Sequence, residues 1–95
     1  MKTLLIDDLR NINVDVTART YDEGIKALEE QGPFDTLYLD HDLGDPDPSK
    51  TGYGIMNFLE ANLRLLPKEI VLVTANPVGR VRMQTVINKL YGDKS

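Results

Sequence analysis

The sequence contains no cysteine, and this absence excludes several kinds of chemistry. A disulfide scaffold, a zinc site built from thiolates and a cysteine nucleophile all require this residue. His41 is the single histidine, so a metal site with several imidazole ligands is excluded as well. We expect a reducing, cytoplasmic environment, although a chain without cysteine is compatible with any compartment.

Long apolar runs are also missing. No stretch approaches the roughly 18 residues that a membrane span needs, so we expect no membrane partner. The apolar residues at the start of the chain end at Asp7, which is too early for a signal peptide. The length of 95 residues, with 41% hydrophobic and 27% charged residues, is typical of one globular domain, which we predict over residues 1–95.

Positive charge is scarce in the first half of the chain. Residues 1–50 carry 12 acidic and 5 basic side chains, whereas residues 51–95 carry 3 acidic and 6 basic ones, and the net charge is −4. An acidic half repels nucleic acid unless a metal intervenes, while the basic half is able to face an anion. A solvated surface with uneven charge is the alternative interpretation.

Four segments have the pattern of β-strands. Residues 3–6 and 70–73 are continuous apolar runs, which indicates strands buried on both faces. Residues 14–19 alternate between apolar and polar side chains, which is typical of an edge strand with one wet face. Residues 34–39 are rich in aromatic and apolar side chains and form the third strand in chain order.

Three helices are predicted between and after these strands. The first begins with a capping box at Thr20 and ends at Gly32. The second carries apolar side chains at helical spacing as far as Leu66, and Pro67 is expected to stop it. In the third, Asn76 is the expected cap, and the proline that follows it occupies the first helical position.

The alternation of strands and helices predicts an open α/β sheet, mostly parallel, with helices on both faces. One connection does not fit this scheme. Only seven residues separate Ile6 from Val14, which is too few for the usual helical crossover. Either a covering helix is absent there or the second strand runs antiparallel, and the sequence does not decide between them.

Side chains able to do chemistry follow three of the strands. In open parallel sheets, ligands bind beyond the carboxyl ends of the strands, so these side chains should converge. They are Asp7, Asp8 and Arg10 after the first strand, Asp40, His41 and Asp42 after the third, and Thr74 and Asn76 after the fourth.

The acidic side chains in this set predict a divalent cation site. Carboxylates at the ends of two neighbouring strands repel one another, and without a cation at least one of them would stay protonated. A hard cation such as Mg²⁺ or Mn²⁺ removes this conflict and keeps waters for a phosphate. The predicted ligands are Asp7, Asp8, Asp40 and Asp42, and the alternative is a set of solvated carboxylates that merely terminate strands.

The other candidates each have two interpretations. His41, between two acids, is either a general acid or base or a hydrogen-bonded orienting group. Thr74 and Asn76 precede the last helix, whose first N–H groups attract phosphate, although Asn76 is equally explained as a simple cap. Arg10 directly follows the acid pair and is the preferred partner of a phosphate, whereas Arg82 either contacts the phosphate or faces solvent.

An acid pair after the first strand, an Asp after the third and a Thr after the fourth resemble the receiver domain of two-component signalling. A receiver has a fifth strand that ends in an essential Lys, but nothing after Leu90 could form it here, and the first receiver helix is also missing. The resemblance therefore implies a truncated, flavodoxin-like three-layer sandwich with about four mostly parallel strands in the order 2-1-3-4.

Three strings resemble the cyclic-phosphate processing receiver family more closely. They are Ile6-Asp7-Asp8-Leu9-Arg10, Leu39-Asp40-His41-Asp42-Leu43-Gly44 and Ala75-Asn76-Pro77-Val78-Gly79, with Met83 beyond. Where the family has a His-Ser pair, this chain has Val73-Thr74. The hydroxyl is kept, but there is no second histidine for a two-His acid–base mechanism.

The resemblance implies a metal-dependent domain that binds or hydrolyses a cyclic phosphate on a nucleotide or an RNA end. The implied catalytic residues are Asp40 and His41, and the implied phosphate ligands are Arg10, Thr74, Asn76 and Arg82. A degenerate receiver that binds a protein or a nucleotide without turnover is the alternative. A phospho-acceptor role for Asp40 is a weaker third interpretation, because neither Lys89 nor Lys94 is placed by a strand.

Overall fold

Residues 2–92, the part of the chain that the computed structural model describes, form four strands, three α-helices and one 3₁₀ helix. The strands are β1 (Thr3–Ile6), β2 (Val16–Ala18), β3 (Thr36–Leu39) and β4 (Glu69–Leu72). The helices are α1 (Tyr21–Gln31), α2 (Gly52–Ala61) and α3 (Pro77–Tyr91), and the 3₁₀ helix is Leu63–Leu65. Lys94 lies outside the described residues.

The strands form one sheet in the order β2-β1-β3-β4, and every neighbouring pair is parallel. This confirms the predicted α/β class and the strand order 2-1-3-4. Ile6 pairs with Ala18 on one side and with Leu39 on the other, and Leu39 pairs with Leu72. The last residues of all four strands therefore lie in one row, and the segments that follow them leave the sheet at the same edge.

The short connection between β1 and β2 is a parallel crossover without a helix. Two side chains, those of Asp15 and Arg19, stabilise this connection through hydrogen bonds. The Asp15 carboxylate accepts from the backbone N–H and the hydroxyl of Thr3 at 2.9 and 3.1 Å. Arg19 donates to the carbonyl oxygens of Asp7 and Arg10. Because Asp15 is engaged in this way, β2 begins two residues later than predicted.

All three helices pack on the same face of the sheet, with α2 between α1 and α3. The core on this face contains Leu4, Ile6, Ala18, Leu37, Leu39 and Leu72 from the strands and Ala27, Leu28, Ile55, Met56, Leu59, Met83 and Val86 from the helices. The structure differs here from the prediction of helices on both faces. The β2–β3 and β3–β4 crossovers run in one direction across the sheet, so right-handedness places both helices on one face. The reverse crossover from β1 to β2 is directed to the other face, where it is too short to form a helix.

The strand β4 is less buried than its apolar sequence predicts. Glu69 is exposed, Ile70 and Val71 are half-buried, and only Leu72 is buried. β4 stands at the edge of the sheet, and the helices cover one of its faces only. The prediction that this strand is buried on both faces is therefore wrong.

The helix α2 ends five residues before the predicted end at Leu66. Asn62 follows its last residue and donates from its side-chain amide to the carbonyl oxygen of Phe58 at 2.8 Å. Such a side chain competes with helix continuation, and the chain turns into the 3₁₀ helix, where Leu63 is 60% exposed. Asn62, and not Pro67, terminates the helix.

The helix starts follow the predicted capping residues. The Thr20 hydroxyl accepts from the backbone N–H of Glu23 at 3.1 Å, and the Asn76 side chain accepts from that of Gly79 at 3.0 Å. Both caps direct the start of a helix toward the edge where the strands end. Among residues 2–92, no helix combines the length and the apolar character that crossing a membrane requires.

Candidate functional site

Three carboxylates converge at the edge of the sheet where β1 and β3 end. One oxygen atom from each of Asp7, Asp8 and Asp40 lies within 4.8 Å of the other two. Asp7 and Asp40 face each other because the residues before them, Ile6 and Leu39, pair in the sheet. The structure thus brings together three of the four predicted metal ligands.

A cavity of about 260 Å³ opens at this cluster. It is lined by Asp7, Asp8, Leu9, Arg10 and Asp40. Four of these five side chains are charged, and the fifth, Leu9, is 82% exposed. The cavity therefore offers anionic oxygens for a cation, one guanidinium for an anion and one apolar side chain at the surface.

Asp7 is buried, and both of its carboxylate oxygens accept hydrogen bonds. Oδ1 accepts from the backbone N–H groups of Leu9 and Arg10, both at 3.0 Å, in the local turn that Asp favours. Oδ2 accepts from the Arg10 guanidinium at 3.2 Å. Asp7 therefore shapes the loop after β1 and places Arg10 above the carboxylates.

Arg10 connects the segment after β1 with the segment after β4. Its Nη1 atom contacts Asp7 and also donates to the carbonyl oxygen of Val73, directly after β4. A guanidinium has five N–H donors, so these contacts leave donors for an anion in the cavity. Arg10 therefore lines the cavity at the carboxylate cluster, and its role as a phosphate ligand stays a prediction.

Asp40 is half-buried, and two effects of opposite sign act on its carboxyl group. Burial raises the pKa of Asp40, and the neighbouring Asp7 charge raises it further. Hydrogen bonds from the Thr74 hydroxyl and from the backbone N–H of His41, the latter at 2.7 Å, act in the opposite direction. The net result is that the pKa of Asp40 lies above its ordinary value of 3.8, mainly because the carboxyl group is partly buried.

Thr74 links Asp40 to the start of α3. Its hydroxyl donates to the Asp40 carboxylate and accepts from the backbone N–H of Asn76 at 3.0 Å. The side chain of Asn76 in turn caps α3 through Gly79. Thr74 and Asn76 thus belong to one hydrogen-bonded chain that ends on Asp40, as their shared position at the strand ends predicts.

The imidazole ring of His41 contacts Asp42, whereas its backbone N–H donates to the Asp40 carboxylate of the cluster. Its Nδ1 atom lies 3.1 Å from Oδ1 of Asp42. The side chain of His41 is only 16% exposed, whereas that of Asp42 is 67% exposed. Asp42 lies outside the three-carboxylate cluster, so the structure places this predicted metal ligand beside the imidazole instead.

Arg82 stacks on an aromatic ring. Its guanidinium carbon lies 4.5 Å from the centroid of Tyr53, which belongs to α2. Arg80 donates to the carbonyl oxygen of Leu72, at the end of β4. The contact that the structure shows for Arg82 is therefore a helix–helix contact, and Arg82 is not among the residues that line the cavity.

Two contributors to the site are not apparent from the sequence. Arg19 reads only as the end of the second strand, yet its guanidinium holds the loop of Asp7 and Arg10. Gly79 reads as part of a helix start, yet it lies against the His41 ring. Both partners are distant in sequence, and no local pattern specifies them.

The fold and the acidic edge together define a class: a receiver-like α/β domain in which no strand follows β4 within residues 2–92. The sequence model of the cyclic-phosphate processing receiver domain matches residues 2–89. The chain belongs to this family. No curated protein and no solved structure shows a significant match to it.

Proposed function

We propose that this domain binds a cyclic phosphate of a nucleotide or an RNA end and hydrolyses it with the help of a divalent cation. The observation that carries the proposal is the convergence of Asp7, Asp8 and Asp40, with oxygens within 4.8 Å of one another, in a cavity that also contains Arg10. Membership of the cyclic-phosphate processing receiver family supports this class of ligand.

The three carboxylates fit a Mg²⁺ or Mn²⁺ ion. Oxygens around Mg²⁺ stand at about 2.1 Å from the ion, so neighbouring ones are roughly 3 Å apart, which is compatible with the spacing in the cluster. Burial is the main cause of the raised pKa of Asp40, and the charge of Asp7 adds to it; a cation beside this carboxyl group would favour its ionised form. A bound cation would offset the negative charge of a phosphoryl oxygen and favour attack by water.

Arg10 is the proposed primary ligand of the phosphate, because its guanidinium lines the cavity and keeps free donors. The Thr74 hydroxyl is already bonded to Asp40 and contributes by orienting that carboxylate. The bond from Gly79 occupies the side-chain oxygen of Asn76, so the amide NH₂ group of Asn76 is able to donate to the phosphate.

His41 is the proposed proton carrier. With Nδ1 donating to Asp42, the other ring nitrogen carries the lone pair and accepts a proton from water. The water oxygen then forms a P–O bond, the P–O bond to one ribose oxygen breaks, and that oxygen takes up a proton. Because there is one histidine in the chain, the same ring would supply this proton.

The exposed side chain of Leu9 favours a ligand larger than a phosphate group. A large apolar side chain on the rim of a charged cavity provides a surface for a sugar or a base. This feature is consistent with a nucleotide or an RNA end, in which the phosphate enters the cavity and the nucleoside lies against its rim.

The test is a panel of 2′,3′- and 3′,5′-cyclic nucleotides and RNA oligomers with cyclic-phosphate ends, each incubated with and without Mg²⁺ or Mn²⁺. We expect metal-dependent opening of at least one cyclic ester, followed by ³¹P NMR. His41→Gln should lower the rate by roughly 10²-fold or more, the usual contribution of a general acid or base, and leave metal affinity unchanged. Equal rates for His41→Gln and the wild type would remove His41 from the mechanism.

The matched control is Gln84→Ala, on an exposed part of α3, which should keep both the rate and the metal affinity. Binding of a cyclic phosphate without turnover would favour the alternative, a degenerate receiver that acts as a nucleotide-binding module. One observation supports this alternative: the chain has no second histidine to act as the opposite acid or base. Neither binding nor turnover across the panel would contradict both.

A further inference from the structure

His41 is held between the first turns of two helices. Its carbonyl oxygen accepts from the backbone N–H of Gly52, the first residue of α2, at 2.8 Å. A Cβ atom at Gly52 would lie 2.0 Å from the carbonyl oxygen of Asp40. Because real Cβ atoms do not approach so closely, the segment of Asp40 and His41 can pass α2 only beside a glycine.

The imidazole ring is in a similar position against α3. A Cβ atom at Gly79 would lie 2.4 Å from Cδ2 and 2.5 Å from Cγ of His41. The ring therefore rests on the backbone of α3 at this residue. The Nδ1 atom of the same ring contacts Asp42, whose side chain is largely exposed.

The helix α3 is tied to α2 close to this contact. Arg82 stacks on Tyr53 one turn further along, and Lys89 pairs with Glu60 at 2.7 Å near the other end. These contacts oppose a shift of α3 away from the sheet. A methyl group at position 79 would therefore displace the ring more readily than the helix.

We propose that Gly79 is a positioning residue for His41. Because glycine has no side chain, α3 holds the imidazole beside Asp42, so that Nδ1 faces Asp42 and Nε2 has no hydrogen bond to residues 2–92. The significance of this for catalysis rests on the proposed function, because it assumes that His41 carries a proton. The contact between Gly79 and the His41 ring does not depend on the proposed function, and it is testable in the protein without any substrate.

The first experiment is a double-mutant cycle on thermal stability with Gly79→Ala and His41→Ala. Alanine is the better helix former, so Gly79→Ala alone is favourable unless the ring obstructs it. We expect it to lower Tm by several degrees in the wild type and to leave Tm unchanged or raise it in the His41→Ala protein. The same Tm change in both backgrounds would overturn the proposal.

Gly24→Ala is the matched control. A Cβ atom at Gly24 would lie 2.8 Å from Cδ1 of Ile6, so this substitution also causes a steric conflict, but with Ile6 and not with His41. Its Tm change should be the same in both backgrounds. If Gly79→Ala does not fold, the Gly79→Ala/His41→Ala protein must fold, and failure of that double variant would equally overturn the proposal.

The second experiment reads the ring directly. The chain has one histidine, so its imidazole ¹⁵N signals are unambiguous in an NMR spectrum. In the spectrum of the deprotonated ring, we expect the wild type to show one tautomer with the proton on Nδ1. Folded Gly79→Ala should show a mixture, as should Asp42→Asn. Unchanged ¹⁵N shifts in Gly79→Ala would show that the glycine does not position the ring.

These measurements separate the two proposals. Loss of turnover in every assay, with the stability coupling and the tautomer shift intact, contradicts the proposed function and leaves Gly79 as the residue that positions His41. Where turnover is present, Gly79→Ala should lower kcat with little change in KM, since the ring and not the phosphate site is displaced. A change confined to KM would argue against a positioning role.

Discussion

Asp40 illustrates how one ionised side chain opposes folding. Its pKa in the folded protein is raised, first by burial and then by the charge of Asp7. The folded protein therefore binds this proton more tightly than the unfolded chain, whose value is near 3.8. The destabilisation by the ionised group is absent well below pH 3.8 and complete once the pH exceeds the folded pKa.

We predict that Asp40→Asn stabilises the metal-free protein at pH 7. The amide removes the charge and keeps one oxygen, which accepts from the backbone N–H of His41. Tm should rise by a few degrees, given that 1 kcal/mol corresponds to roughly 4–8 °C in a domain of this size, and the gain should disappear near pH 3. Scanning calorimetry at both pH values, in the presence of a chelator, measures this.

The order of stability should reverse when a divalent cation is added. At 100 times its dissociation constant, a ligand stabilises the folded state by about 2.7 kcal/mol. The wild type should therefore gain Tm with Mg²⁺ or Mn²⁺, and Asp40→Asn should not. The control is Glu29→Gln, an exposed carboxylate on α1, which should respond to metal as the wild type does. A wild-type protein with no calorimetric response to millimolar metal would contradict the metal site.

At the scale of elements, the contacts between α2 and α3 determine where Asn76, the cap of α3, lies relative to the carboxylates. The stack of Arg82 on Tyr53 and the pair of Lys89 with Glu60 join the two helices at different levels. The start of α3 carries Asn76, and the start of α2 follows the loop after Asp40. The relative position of the two helices therefore determines the distance between the Asn76 cap and the carboxylates.

We predict that Arg82→Gln destabilises the protein by about 0.5–1 kcal/mol, the usual worth of an exposed cation–π contact. Tyr53→Leu should produce a similar loss, and the double variant should lose less than the sum of the two. Urea denaturation of the four proteins measures this coupling.

Arg82 also remains a proposed phosphate ligand from the family resemblance, and the same variant tests that role. An affinity for a cyclic nucleotide that falls tenfold or more in Arg82→Gln, with stability unchanged, would assign Arg82 to the phosphate and not to Tyr53. An affinity within a factor of two of the wild type would assign it to the helix pair.

At the scale of the whole molecule, the sheet has four strands where a signalling receiver has five. The essential Lys of a receiver stands at the end of that fifth strand. Here Lys89 is late in α3 and pairs with Glu60, and within residues 2–92 no strand follows β4. The guanidinium of Arg10 is a positive charge at the site, but it contacts Asp7 and Val73, which are themselves at the ends of β1 and β4. It therefore does not take the place of a Lys at the end of a fifth strand.

We therefore predict that acetyl phosphate or a beryllofluoride mimic with Mg²⁺ produces no stable adduct on Asp40. Mass spectrometry of the intact protein and amide chemical shifts would record it. A receiver domain with its strand-borne Lys, treated in parallel, is the positive control. A long-lived acyl phosphate on Asp40 with shift changes that extend into α3 would restore the phospho-acceptor interpretation.

The predicted sheet followed from local patterns, and so did much of the site. The apolar runs before Asp7 and Asp40 identify central strands, and parallel strands present their carboxyl ends at one edge. The carboxylates converge because of this geometry: Ile6 pairs with Leu39, so the residues after them, Asp7 and Asp40, face each other. The predictions fail where exposure depends on the neighbours of an element, as in β4, or where a side chain competes with the helix backbone, as Asn62 does.

The sequence by itself determined the strands, the helix caps and the acidic edge. The spacing of apolar side chains and the capping residues are local features of a few residues each. Once the strands are parallel, the residues that follow them lie at the same edge of the sheet. Only the tertiary structure decided that β2 is parallel, that the helices share one face and that the His41 ring rests on Gly79. The bond from Arg10 to Val73 joins residues 63 positions apart, and the stack of Arg82 on Tyr53 joins two helices. Such contacts depend on the distance and angle at which two elements pack, and the residue spacing within one element does not specify these.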